Sequence, residues 1–190
     1  MKKQSQITTA TRNAFFEALF VLHEKKPVEK ITVRELSEKA GYNRSTFYQY
    51  FKDLPDLIFQ IENDMIQYIK ELISQHIGKN HPEEVFIHVF TTIFQEKSNY
   101  LKVVFSQTPY NHFSQKIKEE MTPLFAQKMK LPLEQPQTRY LLDFYFSGIL
   151  SVFRRRSLFP QEISTEEFAK LIKKIVDGMQ KSELFISSNE

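Results

Sequence analysis

Apolar residues recur at helical spacing along nearly the whole chain. Phe15, Ala18, Leu19 and Leu22 fall at i, i+3, i+4 and i+7, which predicts a first amphipathic helix over residues 9–25. Pro27 stops it, since proline has no N–H to extend the ladder. Thr32 and Glu35 have the spacing of a capping box, in which two side chains satisfy the free N–H groups of one helical turn. They open a short second helix that Gly41 closes in the left-handed conformation. Asn43 can cap a third helix reaching residue 50, and Asp53 a fourth that tolerates Pro55 in its first turn. In that fourth helix Leu54, Leu57, Ile58, Ile61, Met65, Tyr68, Ile69 and Leu72 form one stripe.

Beyond Gly78 the same spacing predicts five more helices. Pro82 opens one carrying Val85, Phe86, Val89, Phe90, Ile93 and Phe94. The others cover residues 100–106, 110–130 with a kink near Pro123, 137–158 and 164–185. No hairpin signal, repeat or low-complexity segment interrupts them. The expected fold class is therefore all-α, with about nine helices. Three form a head over residues 1–52, and the rest form a body over residues 53–190.

Composition narrows the function. The 190 residues include no cysteine, which removes disulfides, thiolate nucleophiles and Cys-based zinc sites and suits a reducing cytoplasm. Four isolated glycines leave no material for a phosphate-cradling loop. No cofactor is expected. His81 and His88 lack a completing carboxylate pattern, so no metal site is expected either. The most apolar stretch, residues 140–153, contains Asp143, Ser147 and Ser151, and at fourteen residues it suits a buried helix rather than a membrane span. The apolar stretch after Lys2 and Lys3 is broken by Glu17, so no signal segment is read there. Charge is uneven. Residues 1–52 carry ten Lys and Arg against five Glu, while the remaining 138 carry sixteen against eighteen acidic residues. A basic head on a near-neutral body points to a polyanion partner.

The second and third helices are joined only by a tight turn containing Gly41, the helix-turn-helix pattern. In the third, Phe47 and Phe51 are four apart and can face inward with Leu36 and Ala40. Asn43, Arg44, Ser45, Tyr48 and Gln49 are left on the outer side. Asn and Gln can bond adenine, Arg can bond guanine, and Ser, Thr, Tyr and Lys suit phosphate oxygens. A merely solvated polar helix with aromatic anchors is the competing reading.

Residues 9–60 resemble the DNA-binding domain of the TetR family of bacterial transcriptional regulators. Thr11 and Arg12 before the apolar first helix resemble that family's opening. The run from Ile31 to Gly41 resembles its second helix, and that from Thr46 to Phe51 its recognition helix. Two positions depart from the pattern: Leu54 stands where the family commonly has Lys, with Lys52 two residues earlier, and Tyr42 replaces a small apolar residue. The resemblance implies that Thr46, Tyr48 and Tyr50 meet or underlie the DNA backbone, with Lys52 beside them. It implies that Asn43, Arg44, Ser45 and Gln49 reach base edges. Thr32 caps a helix whose N-terminus can face a phosphate, and Arg12 is a further phosphate candidate.

The resemblance also implies that the body pairs two subunits through its last two long helices and holds an effector pocket. Residues 145–150, followed by basic residues, are similar to the C-terminal region of regulators linked to dihydroxyacetone kinase. Candidate pocket residues are Phe86, Phe90, Phe105, Phe113, Tyr140, Asp143 and Phe144. The expected cavity is mostly apolar, with a volume of roughly a few hundred cubic ångströms. Plain core is the alternative for the aromatics. Asp143 amid apolar neighbours needs a partner, either Arg139, Tyr140 or a ligand. The leading expectation is a cytoplasmic, dimeric, ligand-responsive regulator, a repressor that binds a double-stranded DNA operator and no membrane. A coactivator of this fold that binds another regulator instead of DNA is the alternative. An all-helical enzyme is disfavoured by the missing loops, cysteines and metal spacing.

Overall fold

A computed structural model describes residues 2–76, 82–106 and 112–180, with side chains over 8–75, 88–106, 112–127 and 130–178. Among the described residues there are nine α-helices, one 3-10 turn and no strand. Helix α1 runs Lys2–His23, beginning earlier than the periodicity indicates because nothing in the first eight residues breaks a helix. After Pro27 a 3-10 turn at Val28–Lys30, not foreseen from the sequence, buries Val28 beneath the chain. Helix α2 (Val33–Ala40) has the expected capping box: Glu35 N donates to Thr32 Oγ1 at 3.3 Å, and Thr32 N donates to Glu35 Oε2 at 2.9 Å. Gly41 ends it at φ +76°, where an L side chain is strained, and Tyr42 N donates back to Ser37 O at 3.0 Å.

Helix α3 (Arg44–Tyr50) follows within the tight turn. Helix α4 (Leu54–His76) is started by Asp53, whose Oδ1 accepts from Asp56 N at 2.8 Å, while Asp56 Oδ2 accepts from Lys52 N at 2.8 Å. The body comprises α5 (Pro82–Glu96), α6 (Ser98–Ser106), α7 (His112–Met129), α8 (Pro136–Leu158) and α9 (Thr165–Gln180). Helix α7 continues through Pro123. Lys130, at φ 54°, takes the left-handed position that ends it. Ser164 and Glu167 cap α9 reciprocally. His81 lies outside the described residues, as do the side chains of Phe86 and Met179 and the expected extension of the last helix over 181–185.

Helix α4 packs against α5, α6 and α7, α8 against α6 and α7, and α9 against α5. Helix α1 packs on α2 with one side and on α6 with another, which is why Phe15, Phe16, Ala18, Leu19 and Phe20 are all buried. One apolar cluster consequently runs from Phe15 in the head to Val176 in the last helix.

Candidate nucleic-acid interface and apolar cavity

The seat of α3 is aromatic. Phe47 and Phe51 are buried and meet Phe15 edge-on, with ring centroids 5.4 and 5.8 Å away. They lie 5.2 Å from each other. Seating those two rings turns Arg44, Ser45, Tyr48, Gln49 and Lys52 to the exposed side. Thr46 and Tyr50 are half-buried at the edge. The side chains of Arg44, Tyr48, Gln49 and Lys52 make no hydrogen bond or ion pair among the described residues, so their polar ends are available to an incoming partner.

Other expected contacts are occupied. Asn43 Oδ1 accepts from Thr46 N and Thr46 Oγ1, both at 2.8 Å, and from Ser45 Oγ at 2.7 Å. Bidentate bonding to adenine needs both amide atoms, and capping holds the oxygen. The Ser45 and Thr46 hydroxyls spend their protons on the same oxygen and would have to turn to meet a phosphate. Thr32 Oγ1 donates to Glu35 Oε2 at 2.8 Å within the capping box. Tyr42 packs tilted on Phe15, centroids 5.6 Å apart, and its hydroxyl accepts from Thr11 Oγ1 at 3.4 Å.

Arg12, a further phosphate candidate, is engaged within the fold. Its Nη2 pairs with Asp64 Oδ1 at 2.6 Å, its Nε donates to Gln60 Oε1 at 3.0 Å, and its guanidinium lies 4.7 Å from the centre of the Phe16 ring. Gln60 Nε2 in turn donates to Tyr50 O at 3.1 Å. The resulting chain ties α1 and the last turn of α3 to α4. Sequence reasoning missed Gln60 and Asp64 because their partners are distant along the chain.

In the body, α4 to α8 enclose a cavity of about 130 Å³. Phe90, Phe105 and Phe113 line it with Ile69, Met121, Phe146 and Phe153. It is smaller than expected because Phe90 and Phe153 stack, centroids 3.7 Å apart, and fill part of the space. Tyr140, Asp143 and Phe144 do not line it. The buried face of α8 is Thr138, Leu142, Phe146, Ile149, Phe153 and Ser157. A helix turns about 100° per residue, so positions two away from Leu142 stand opposite that face. Tyr140 and Phe144 are accordingly 81% and 72% exposed. Asp143 is exposed and pairs with Lys118 Nζ at 2.6 Å, a partner outside those expected. Elsewhere in the body, buried Glu62 meets His112 Nδ1 at 2.9 Å. Burial pushes that carboxyl upward, and His112 offsets the effect only in part.

Residues 80–178 match the family model for a transcriptional regulator C-terminal region, and residues 15–61 match that of the bacterial regulatory proteins of the tetR family. The chain belongs to the TetR family. A curated relative, the uncharacterized HTH-type transcriptional regulator YxbF of Bacillus subtilis (strain 168), is 28% identical over 113 residues. That match covers 48% of this chain and only 29% of the relative. The fatty acid degradation regulator FadR of Bacillus halodurans has a TM-score of 0.66 at 15% identity, over 88% of this chain and 95% of that one. The dihydroxyacetone kinase operon activator DhaS has a TM-score of 0.58 at 16% identity, over 90% and 94%. These two structures share the TetR fold with this chain.

The α2 cap of this TetR head has a pH signature. Lys26 Nζ bonds Glu35 Oε1 at 2.5 Å, and with the two Thr32 bonds this holds the Glu35 carboxyl down at about 2. A depressed carboxyl stabilises the fold above its unfolded value of 4.5, and that contribution is lost as pH falls toward 2. Lys26→Met should therefore flatten the dependence of melting temperature on pH between those two values. A slope equal to the parent's would mean the pair contributes nothing.

Proposed function

We propose that this TetR-family protein is a dimeric regulator that represses transcription from an inverted-repeat operator in duplex DNA and responds to a small apolar molecule. The observation that carries this reading is the outer face of α3, where Arg44, Tyr48, Gln49 and Lys52 stand exposed and unpaired on a helix seated by Phe47 and Phe51. Arg44 and Gln49 have the donor and acceptor sets of major-groove base readers, and Tyr48 and Lys52 suit phosphate. The basic head supplies the attraction. The protein acts in the cytoplasm by binding rather than by catalysis.

Two features support the rest. Exposed Tyr140, Phe144 and Leu158 on α8, with Leu171 on α9, offer a surface that a second copy would cover. Gly148 on α8 leaves open space where a side chain would stand, so a partner helix can approach closely. Phe168 and Ile172 are buried within one subunit and are not part of that surface. For the effector, the cavity wall is apolar, and its size is close to that of cavities of about 150 Å³ that take up benzene. That the similarly folded FadR is a fatty acid degradation regulator supports an apolar effector.

Salt dependence tests the DNA contact. Affinity for duplex DNA should fall steeply as salt rises, and Lys52→Ala should reduce the slope of log K against log[salt] by about 0.9. Binding that ignores salt, or a complex only with another protein, would favour the coactivator reading instead.

A further inference from the structure

A second cavity, of about 310 Å³, lies between the end of α1, α6 and the end of α8, and unlike the first its wall mixes polar and apolar groups. His23, Glu24, Asn99, Lys102 and Ser157 supply its polar wall, and Phe20, Val103 and Leu158 the apolar part. Ser157 is only 6% exposed, yet its Oγ has no hydrogen-bond partner, and neither does the buried Nδ1 of His23. Buried polar groups are almost always paired, so two orphans on one wall call for an explanation. The side chains of Glu24, Asn99 and Lys102 also make no hydrogen bond or ion pair among the described residues.

We propose that this cavity binds a small zwitterion with an apolar side chain, an α-amino acid or a close analogue. Lys102 and Glu24 carry opposite charges on one wall without pairing, so a molecule bearing both signs finds a counter-charge for each. Its carboxylate bonds Lys102 and Asn99, and its ammonium bonds Glu24. Ser157 and His23 can each donate or accept, and they complete the polar contacts. The side chain rests on Phe20, Val103 and Leu158. The volume exceeds what a single water needs, which fits an occupant larger than solvent. The occupant bridges α1 of the head to α6 and α8 of the body, away from both the DNA face and the apolar cavity.

Titration calorimetry of the full chain tests the assignment with L-leucine, L-methionine and L-phenylalanine as probes. At least one should bind. For the best of them, the analogue lacking the carboxylate and the analogue lacking the amino group should each bind about tenfold or more weakly, since each loses a charged hydrogen bond. Lys102→Met should weaken binding similarly while leaving the circular dichroism and melting of the free protein unchanged. Ser157→Ala is a second probe, because removing an unpaired hydroxyl leaves the free protein at least as stable but takes a contact from the complex. No heat from any of the three at millimolar concentration overturns the proposal. So does equal binding of a one-charge analogue, or undiminished binding by Lys102→Met.

Discussion

Phe47→Ala should destabilise the protein by about 3–5 kcal/mol and abolish DNA binding. The ring is fully buried, with Phe15 edge-on at 5.4 Å and Phe51 at 5.2 Å. Truncation removes the apolar transfer energy and leaves a hole that the neighbouring rings cannot close. Against a total stability of about 5–15 kcal/mol, that loss is about a fifth of the fold or more. Urea unfolding measures it directly. Because Phe47 also sets which side of α3 faces outward, its loss should remove affinity for all DNA sequences alike. A variant with the parent's urea midpoint and full DNA affinity would mean that α3 is positioned by something other than its aromatic seat.

The head was largely legible in the sequence because its determinants are local. Thr32 with Glu35, Gly41, Asn43 and the Phe47–Phe51 pair each act within four residues, so spacing alone indicates their work. The body was harder to read. Helix α8 has Tyr140, Leu141, Leu142, Phe144, Tyr145 and Phe146 in seven positions, apolar around nearly its whole circumference. Periodicity cannot then choose the buried face, and Tyr140, Asp143 and Phe144 were expected on the wrong one. Arg12 is hard to place from the sequence for another reason. A cation near the start of a DNA-binding head reads as a phosphate ligand, but its partners Gln60 and Asp64 are 48 and 52 residues away. His23 and Ser157 line one cavity across a still larger separation, so no spacing rule brings them together.

Arg44→Ala and Gln49→Ala should each reduce affinity for the preferred operator by about 1–3 kcal/mol, roughly five- to over a hundredfold. Their side chains stand exposed with no partner to lose, so folding stability should change little. Each change should also relax preference at particular base pairs, because a reader that is absent cannot discriminate. Asn43→Ala differs in kind. Its oxygen caps α3 through Thr46 N, so its loss should lower stability by about 1 kcal/mol and weaken binding without a clean change in preference. Competition binding against a set of single-base operator variants separates the two behaviours.

Selection of bound duplexes from a random pool, run in parallel with the parent protein and Gln49→Ala, tests the DNA-reading role most directly. A dimer reading through paired α3 helices should enrich inverted repeats whose half-site centres lie one duplex turn, about 34–36 Å, or a multiple of it apart. The Gln49→Ala pool should keep the same symmetry and spacing but lose discrimination at a defined base pair in each half-site. A parent pool with no enrichment, or one without two-fold symmetry, would contradict a dimeric operator-binding regulator. Identical pools from both proteins would contradict the assignment of Gln49 as a base reader.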